Sequence, residues 1–240
     1  MTAALATAPA TRRIKIAVFG AAKEQEEMTF SERTLARDLG DMLGTAFGDK
    51  IEILTGACIG VPDLVANNAR RYGTSVVGYS GAQTVQEHIG NTNYASPDRL
   101  DEIRFTNSND VVLNGLTERS LKMIRDADAL VYLGGRTGTL TEYFAAFDGS
   151  NKPMYILQGS GGTIDRISRL KIKKQRVAGY VIETRSVFDL VSRLDTDFRI
   201  SNFQNDPEIQ IMDERTSHIH GCGWPQWLNY NPSKKTIIRR

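Results

Sequence analysis

The chain has little of what a metal, disulfide or membrane protein needs. Its 240 residues include three histidines and two cysteines, Cys58 and Cys222, which lie far apart. That fits reduced thiols in a cytoplasmic protein better than a disulfide framework. His218-Ile219-His220-Gly221-Cys222 offers ligand types but no further matched ligands, so it is read as an ordinary loop, and no metal is expected. No apolar run reaches the ~18 residues of a membrane span. A charge excess is missing too: 30 Lys and Arg against 28 Asp and Glu leave +2, which argues against nucleic acid or an anionic membrane as partner. Residues 1–13 are rich in Ala and Thr, with Arg12 and Arg13 late. A signal peptide has its charge first, so this stretch is read as a flexible leader.

The sequence does have a rhythm. Its composition, 40% hydrophobic and 24% charged, is ordinary for a globular protein. Short apolar runs predict strands at Ile14–Phe19, Ile51–Leu54, Ser75–Tyr79, Ala129–Leu133, Pro153–Leu157 and Tyr180–Glu183. Between them, helical periods predict helices at Phe30–Phe47 with Ser31 as cap, and from Pro62 through Arg71. Further helices are predicted at Leu116–Asp126, Thr139–Phe147, Thr163–Leu170 and Ser186–Leu194. Alternation of this kind predicts an α/β fold: a doubly wound, mostly parallel, Rossmann-like sheet over residues 14–195. Two stretches break the pattern. Ser80–Asn114 is long and polar, with one short strand expected at Asp101–Phe105. Residues 196–240 form a C-terminal extension, whose Phe198, Phe203, Trp224, Trp227 and Tyr230 suit packing on the body or on a partner subunit. The basic run from Arg169 to Arg176 reads as a solvated helix face.

Ligands of such sheets sit beyond the carboxyl ends of the strands. Three glycine loops follow strand ends: Gly20, Gly56 to Gly60, and Gly134 to Gly138. The third is the richest. The strand at Ala129–Leu133 runs into Gly134-Gly135-Arg136-Thr137-Gly138-Thr139, and Glu142 follows one helical turn later. A glycine turn that starts a helix exposes backbone N–H groups and partial positive charge to an anion. With a threonine hydroxyl, a guanidinium and a carboxylate added, the set suits a phosphorylated sugar. The competing readings are plain ones. Glu142 could be a helix residue favoured by the dipole, Arg119 a surface ion-pair partner, and Cys58 a small packed residue. Arg136 could grip a phosphate or fill the pocket.

Arg119, the glycine turn and Glu142 together resemble the LOG (lonely guy) family, with its motif P-G-G-x-G-T-x-x-E and an upstream arginine. Gly135, Thr137, Gly138, Thr139 and Glu142 align without a gap. Gly134 stands in place of the proline, Arg136 in place of the second glycine, and Ser120 where the family usually has lysine. The resemblance extends, less specifically, to Gly20 and to Gly56–Gly60. It implies hydrolysis of a nucleoside 5′-monophosphate to free base and ribose 5-phosphate, with Arg119 and Glu142 catalytic and residues 134–139 holding phosphate and ribose. It also implies no metal or redox cofactor, and a homodimer or larger assembly with the helix of Arg119 near the contact. Two other classes stay open: a protein that binds, carries or senses a nucleotide or molybdenum cofactor without turnover, and a nucleoside (deoxy)ribosyltransferase.

Overall fold

The computed structural model describes residues 12–106, 111–113, 116–169, 181–201, 230–231 and 236–237. Seven strands form one sheet: β1 (Ile14–Phe19), β2 (Ile51–Thr55), β3 (Ser75–Ser80), β4 (Glu102–Phe105), β7 (Ala129–Tyr132), β8 (Met154–Leu157) and β9 (Val181–Thr184). Their spatial order is β4-β3-β2-β1-β7-β8-β9. Every pairing in it is parallel, where the sequence predicted only a mostly parallel sheet. Between β4 and β7 a short antiparallel pair intervenes, β5 (Val111–Leu113) with β6 (Leu116–Thr117).

Successive strand residues serve opposite faces, as the pleat requires. Ile16 and Val18 of β1 join one core cluster, Ala17 and Phe19 the other. The first cluster is closed by α1 (Phe30–Phe47), α2 (Val61–Arg70) and α7 (Val187–Phe198). The second is closed by α4 (Glu118–Asp126), α5 (Thr137–Gly149) and α6 (Gly162–Arg169). The sheet is therefore doubly wound, and chain order reverses between β1 and β7. Their carboxyl ends, at Phe19 and Tyr132, open the switch-point crevice where such folds take ligands.

Three local features depart from the sequence expectations. The cap of α1 is Thr29, not Ser31: Thr29 Oγ1 accepts from the Glu32 N–H, and the Glu32 carboxylate accepts from the Thr29 N–H at 2.8 Å, a capping box. The segment expected as a long loop after Ser80 contains a helix, α3 (Val85–Gly90), capped by Thr84. His88 in it is buried between Ser80 Oγ (2.9 Å) and the Ala95 carbonyl (2.8 Å), and its ring stacks on Tyr94. The last helix runs on to Phe198, which packs against the first core cluster, four residues past its expected end at Leu194. The His218–Cys222 loop, Phe203, Trp224 and Trp227 lie outside the described residues, as does most of the basic run. In the extension, Tyr230–Asn231 (β10) pairs antiparallel with Thr236–Ile237 (β11).

The crevice floor depends on close backbone approach. Gly60, at φ +139°, sits against the β1–α1 loop, where a Cβ would collide with the Ala21 carbonyl and lie 3.0 Å from the Lys23 nitrogen. The Val61 N–H donates to that same Ala21 carbonyl. Gly60→Ala should thus cost about 2 kcal/mol or more in stability, from backbone strain and overpacking together. Denaturant titration checks this, and an unchanged midpoint would refute the packing argument.

Candidate functional site

Four helices have side-chain caps at their N-termini: α1 by Thr29, α3 by Thr84, α4 by Thr117 and α7 by Ser186. Of the others, α2 after Gly60 and α5 after Arg136 have no side-chain cap. Both begin at the carboxyl edge of the sheet, in the glycine loops that follow β2 and β7. The first N–H groups of a helix have no intrahelical acceptor. Among the described residues none accepts from those of Thr137, Gly138 and Thr139, which are left to solvent or to a ligand.

The turn before α5 is held from below by a second glycine turn. After β8 the chain runs Gly159-Ser160-Gly161-Gly162 into α6, and this turn packs directly on Gly134 and Gly135. The Gly134 N–H donates to Ser160 Oγ (2.8 Å), the Thr163 N–H to the Gly135 carbonyl (3.0 Å) and the Ile164 N–H to the Gly134 carbonyl (3.3 Å). A Cβ on Gly162 would collide with the Gly135 carbonyl. Asp165 closes the second turn by accepting from the N–H groups of Gly159 (2.8 Å) and Gly161 (3.1 Å). A carboxylate thus occupies that nest, and of the two packed turns the one before α5 is left open.

Within residues 134–139 the roles divide. Gly134 (φ +59°) and Gly135 (φ +94°) are buried and conformationally required. A Cβ on Gly135 would come within 2.5 Å of the Thr139 side chain, which is turned back under the loop and buried. Arg136, Thr137 and Gly138 are exposed. A Cβ on Gly138 would meet nothing within 4 Å. Gly138 is therefore not needed for packing, and its bare Cα lets another molecule approach the amides. Arg136 does not fill the pocket. Its side chain is 66% exposed and lies 3.6 Å from the Glu27 carboxylate, across the crevice.

Glu142 and Arg119 stand on adjacent helices. Glu142, on the second turn of α5, accepts from Ser120 Oγ at 2.7 Å. Loss of water around its carboxyl pushes it up from an ordinary 4.5 to about 7, and the Ser120 bond and the Arg119 charge only partly offset this. Near neutrality such a group holds and releases a proton with comparable ease. Arg119 reaches from the first turn of α4 to the Gly56–Gly60 loop. Its Nη1 donates to the Gly56 carbonyl (3.1 Å) and to Cys58 Sγ (3.1 Å), and its guanidinium lies over the Tyr94 ring, 5.8 Å from the centroid. Burial pushes the Cys58 thiol up, with Arg119 only partly opposing it, which favours the neutral thiol over the thiolate. The 93–95 segment clamps this loop: the Ile59 N–H donates to the Asn93 carbonyl, and the Ala95 N–H to the Ala57 carbonyl.

The expected glycines thus fall into different jobs. Gly56 presents its carbonyl to Arg119. Gly60 is a packing glycine, as is Gly20, where a Cβ would lie 2.8 Å from Val61 Cγ1 and 2.9 Å from the Leu133 carbonyl. Absent from the sequence reading were the Ser160–Gly162 turn, Tyr94, Lys23, Glu27 and Glu32. Lys23 and Glu32 form a nearly buried ion pair, Nζ to Oε2 2.7 Å. Burial alone would raise the Glu32 carboxyl, but the bonds from Lys23 and Thr29 outweigh it and hold it below its ordinary value. Glu32, Leu35, Val61, Leu133, Gly134 and Ser160 line a small cleft at the switch point. Among the described residues no three His, Cys, Asp or Glu side chains gather as metal ligands, and no helix is long and apolar enough to cross a membrane.

Sheet order and crevice together define a Rossmann-like α/β protein. Within that class the chain belongs to the SLOG cluster4 family, whose model matches residues 13–191. Solved structures agree on the fold. The protein TM1055 is similar with a TM-score of 0.62 and 25% identity, over 76% of this chain and 99% of that one. The molybdenum cofactor binding protein of Rippkaea orientalis gives 0.59 and 18%, over 79% and 99%. The Moco carrier protein of Chlamydomonas reinhardtii gives 0.54 and 19%, over 77% and 97%. Comparison with curated proteins finds no match. The resemblance drawn from the motif therefore holds at the level of the SLOG family, and a LOG-type reaction is a matter for proposal.

Proposed function

We propose that the protein binds a nucleoside 5′-monophosphate at the switch-point crevice and hydrolyses its N-glycosidic bond, releasing free base and ribose 5-phosphate. The observation that carries this is Glu142: a carboxyl raised to about 7, on the same helix whose uncapped first turn would hold the phosphate. The amides of Thr137, Gly138 and Thr139 bind the 5′-phosphate, and Arg136 adds charge from the rim. With the phosphate there, the ribose extends toward the second turn of α5. Ionised Glu142 stabilises the cationic sugar of the transition state and positions water. Arg119, fixed by Gly56 and Cys58, assists departure of the base. No step calls for a metal or a redox group. The active unit in this proposal is a homodimer or larger assembly in the cytoplasm.

The test is incubation with a panel of nucleoside monophosphates, followed by chromatography for free base and ribose 5-phosphate. An acceptor base added to the same mixture exposes a ribosyltransferase. Binding without release of base supports the second reading, a carrier or sensor of a nucleotide or molybdenum cofactor. One observation favours that reading: Glu142 is already engaged by Ser120 at 2.7 Å, which a catalytic carboxylate would have to share. Arg136→Gly bears on both readings. It should weaken AMP binding about three- to tenfold, the range of one partly exposed charge-assisted contact, and leave the weaker binding of adenosine unchanged. Tighter AMP binding in a calorimetric titration would show that the guanidinium obstructs the phosphate.

A further inference from the structure

The crevice has carboxylates standing over the place where an anion is expected. After β1 the chain runs Lys23-Glu24-Gln25-Glu26-Glu27, and residues 25–27 form one turn of 3-10 helix before α1. Three carboxylates in four residues are exposed there. The turn is well anchored. Met28 behind it is buried, Arg33 Nη1 donates to the Gln25 carbonyl at 2.9 Å, and Lys23 beside it is tied to Glu32. Glu27, at its end, crosses from the β1 side of the switch point to the β7 side and pairs with Arg136.

Lys23 and Arg136 are thus both neutralised by the chain's own carboxylates, yet the two pairs differ. The Lys23–Glu32 pair is nearly buried, with side chains 9% and 12% exposed, and Glu32 is further held by the Thr29 N–H and hydroxyl. Separating it would strand a buried charge. The Arg136–Glu27 pair is 66% and 58% exposed and 3.6 Å apart, so it separates at little cost. Arg136 is also the cap residue of α5, one position before the free amides. Any anion bound at those amides lies within reach of its guanidinium.

We infer that Glu27 is a built-in competitor: it holds Arg136 in the empty site, and a ligand's phosphate must take Arg136 from it in order to bind. The inference rests on the reading of the α5 N-terminus as the phosphate site. Glu24 and Glu26 raise the negative field over the same spot and add to the cost for an anion that cannot engage both the amides and Arg136. Affinity for anions is thereby lowered by the modest worth of the exposed pair, and a phosphate that makes both contacts recovers most of it.

The test is calorimetry with AMP and with inorganic phosphate on wild type, Glu27→Gln, Arg136→Gly and the double variant. Glu27→Gln should bind both ligands about two- to fivefold more tightly than wild type, the range that an exposed ion pair spans. In the Arg136→Gly background the same change should bring little or no gain. Glu27→Gln with wild-type affinity, or a full gain that persists without Arg136, overturns the competition while leaving the phosphate site intact. Wild-type protein that binds neither AMP nor inorganic phosphate overturns the site and the inference together.

Discussion

Glu142→Gln should lose about 10²-fold or more in turnover while keeping most of its affinity for the nucleotide, the scale for removing one positioned charge from a transition state. Glutamine keeps the shape and can still accept from Ser120 Oγ, so the loss reports the charge and not the packing. The pH profile makes the test sharper. A reaction that uses ionised Glu142 rises with pH through about 7, the value to which burial pushes its carboxyl. A rate that is unchanged in the variant removes Glu142 from the mechanism.

The same substitution should move stability in the opposite direction. The folded carboxyl titrates near 7 and the unfolded one near 4.5. Above 4.5 the unfolded chain ionises freely while the folded chain resists, so stability falls as pH rises from 4.5 to 7 and stays low above that. At 1.36 kcal/mol per unit the penalty is of the order of a few kcal/mol. Glu142→Gln escapes it. Thermal unfolding should show the variant more stable than wild type at pH 8 and nearly equal at pH 4.5. Equal melting at both would mean that the carboxyl is not desolvated as its surroundings imply. Stability given up at one residue in a crevice is a familiar mark of a functional group.

The sheet was legible in the sequence because its strands are buried on both faces. Ala129, Leu130, Val131 and Tyr132 are all buried, so the strand is a continuous apolar run that needs no alternation to be seen. The order of the strands was not legible, since no local pattern tells β1 that it lies between β2 and β7. Of the candidate site, the segment 134–142 was legible, because glycine, charge and a strand end coincide there. The rest was illegible where the roles are tertiary. Gly20 and Gly60 read as ligand-loop glycines because they follow strand ends, and the sequence did not show their close contacts with Val61 and Ala21. Two missed features did leave signals. Thr29-Phe30-Ser31-Glu32 has the T-x-x-E spacing of a capping box, and Gly159-Ser160-Gly161-Gly162 repeats the strand–glycine–helix pattern of the main loop. Glu27 left none: its tie to Arg136 joins two loops 109 positions apart (136 less 27), which only the adjacency of β1 and β7 brings together.

Two glycines in one loop should respond to substitution in opposite ways. Gly138 has an ordinary backbone conformation and open space around its missing Cβ. Gly138→Val should therefore fold, at the cost of about 0.5 kcal/mol typical of a β-branched residue at a helix start. Its side chain would stand where the ligand must meet the amides of Thr137 and Thr139. Affinity for AMP or ribose 5-phosphate should drop by about 2 kcal/mol or more, the scale for losing a few charge-assisted bonds. Gly135→Val attacks the scaffold instead. At φ +94° a branched residue is strained, and its Cβ would sit 2.5 Å from the Thr139 side chain. A stability loss of about 3 kcal/mol or more is expected, with binding lost as a consequence. Chemical denaturation and calorimetry on both variants separate the two effects. A folded Gly138→Val protein that binds AMP like wild type would show that the first turn of α5 is not where the phosphate sits. Glu142, one turn further along the same helix, would then lose its reason to be next to a ribose.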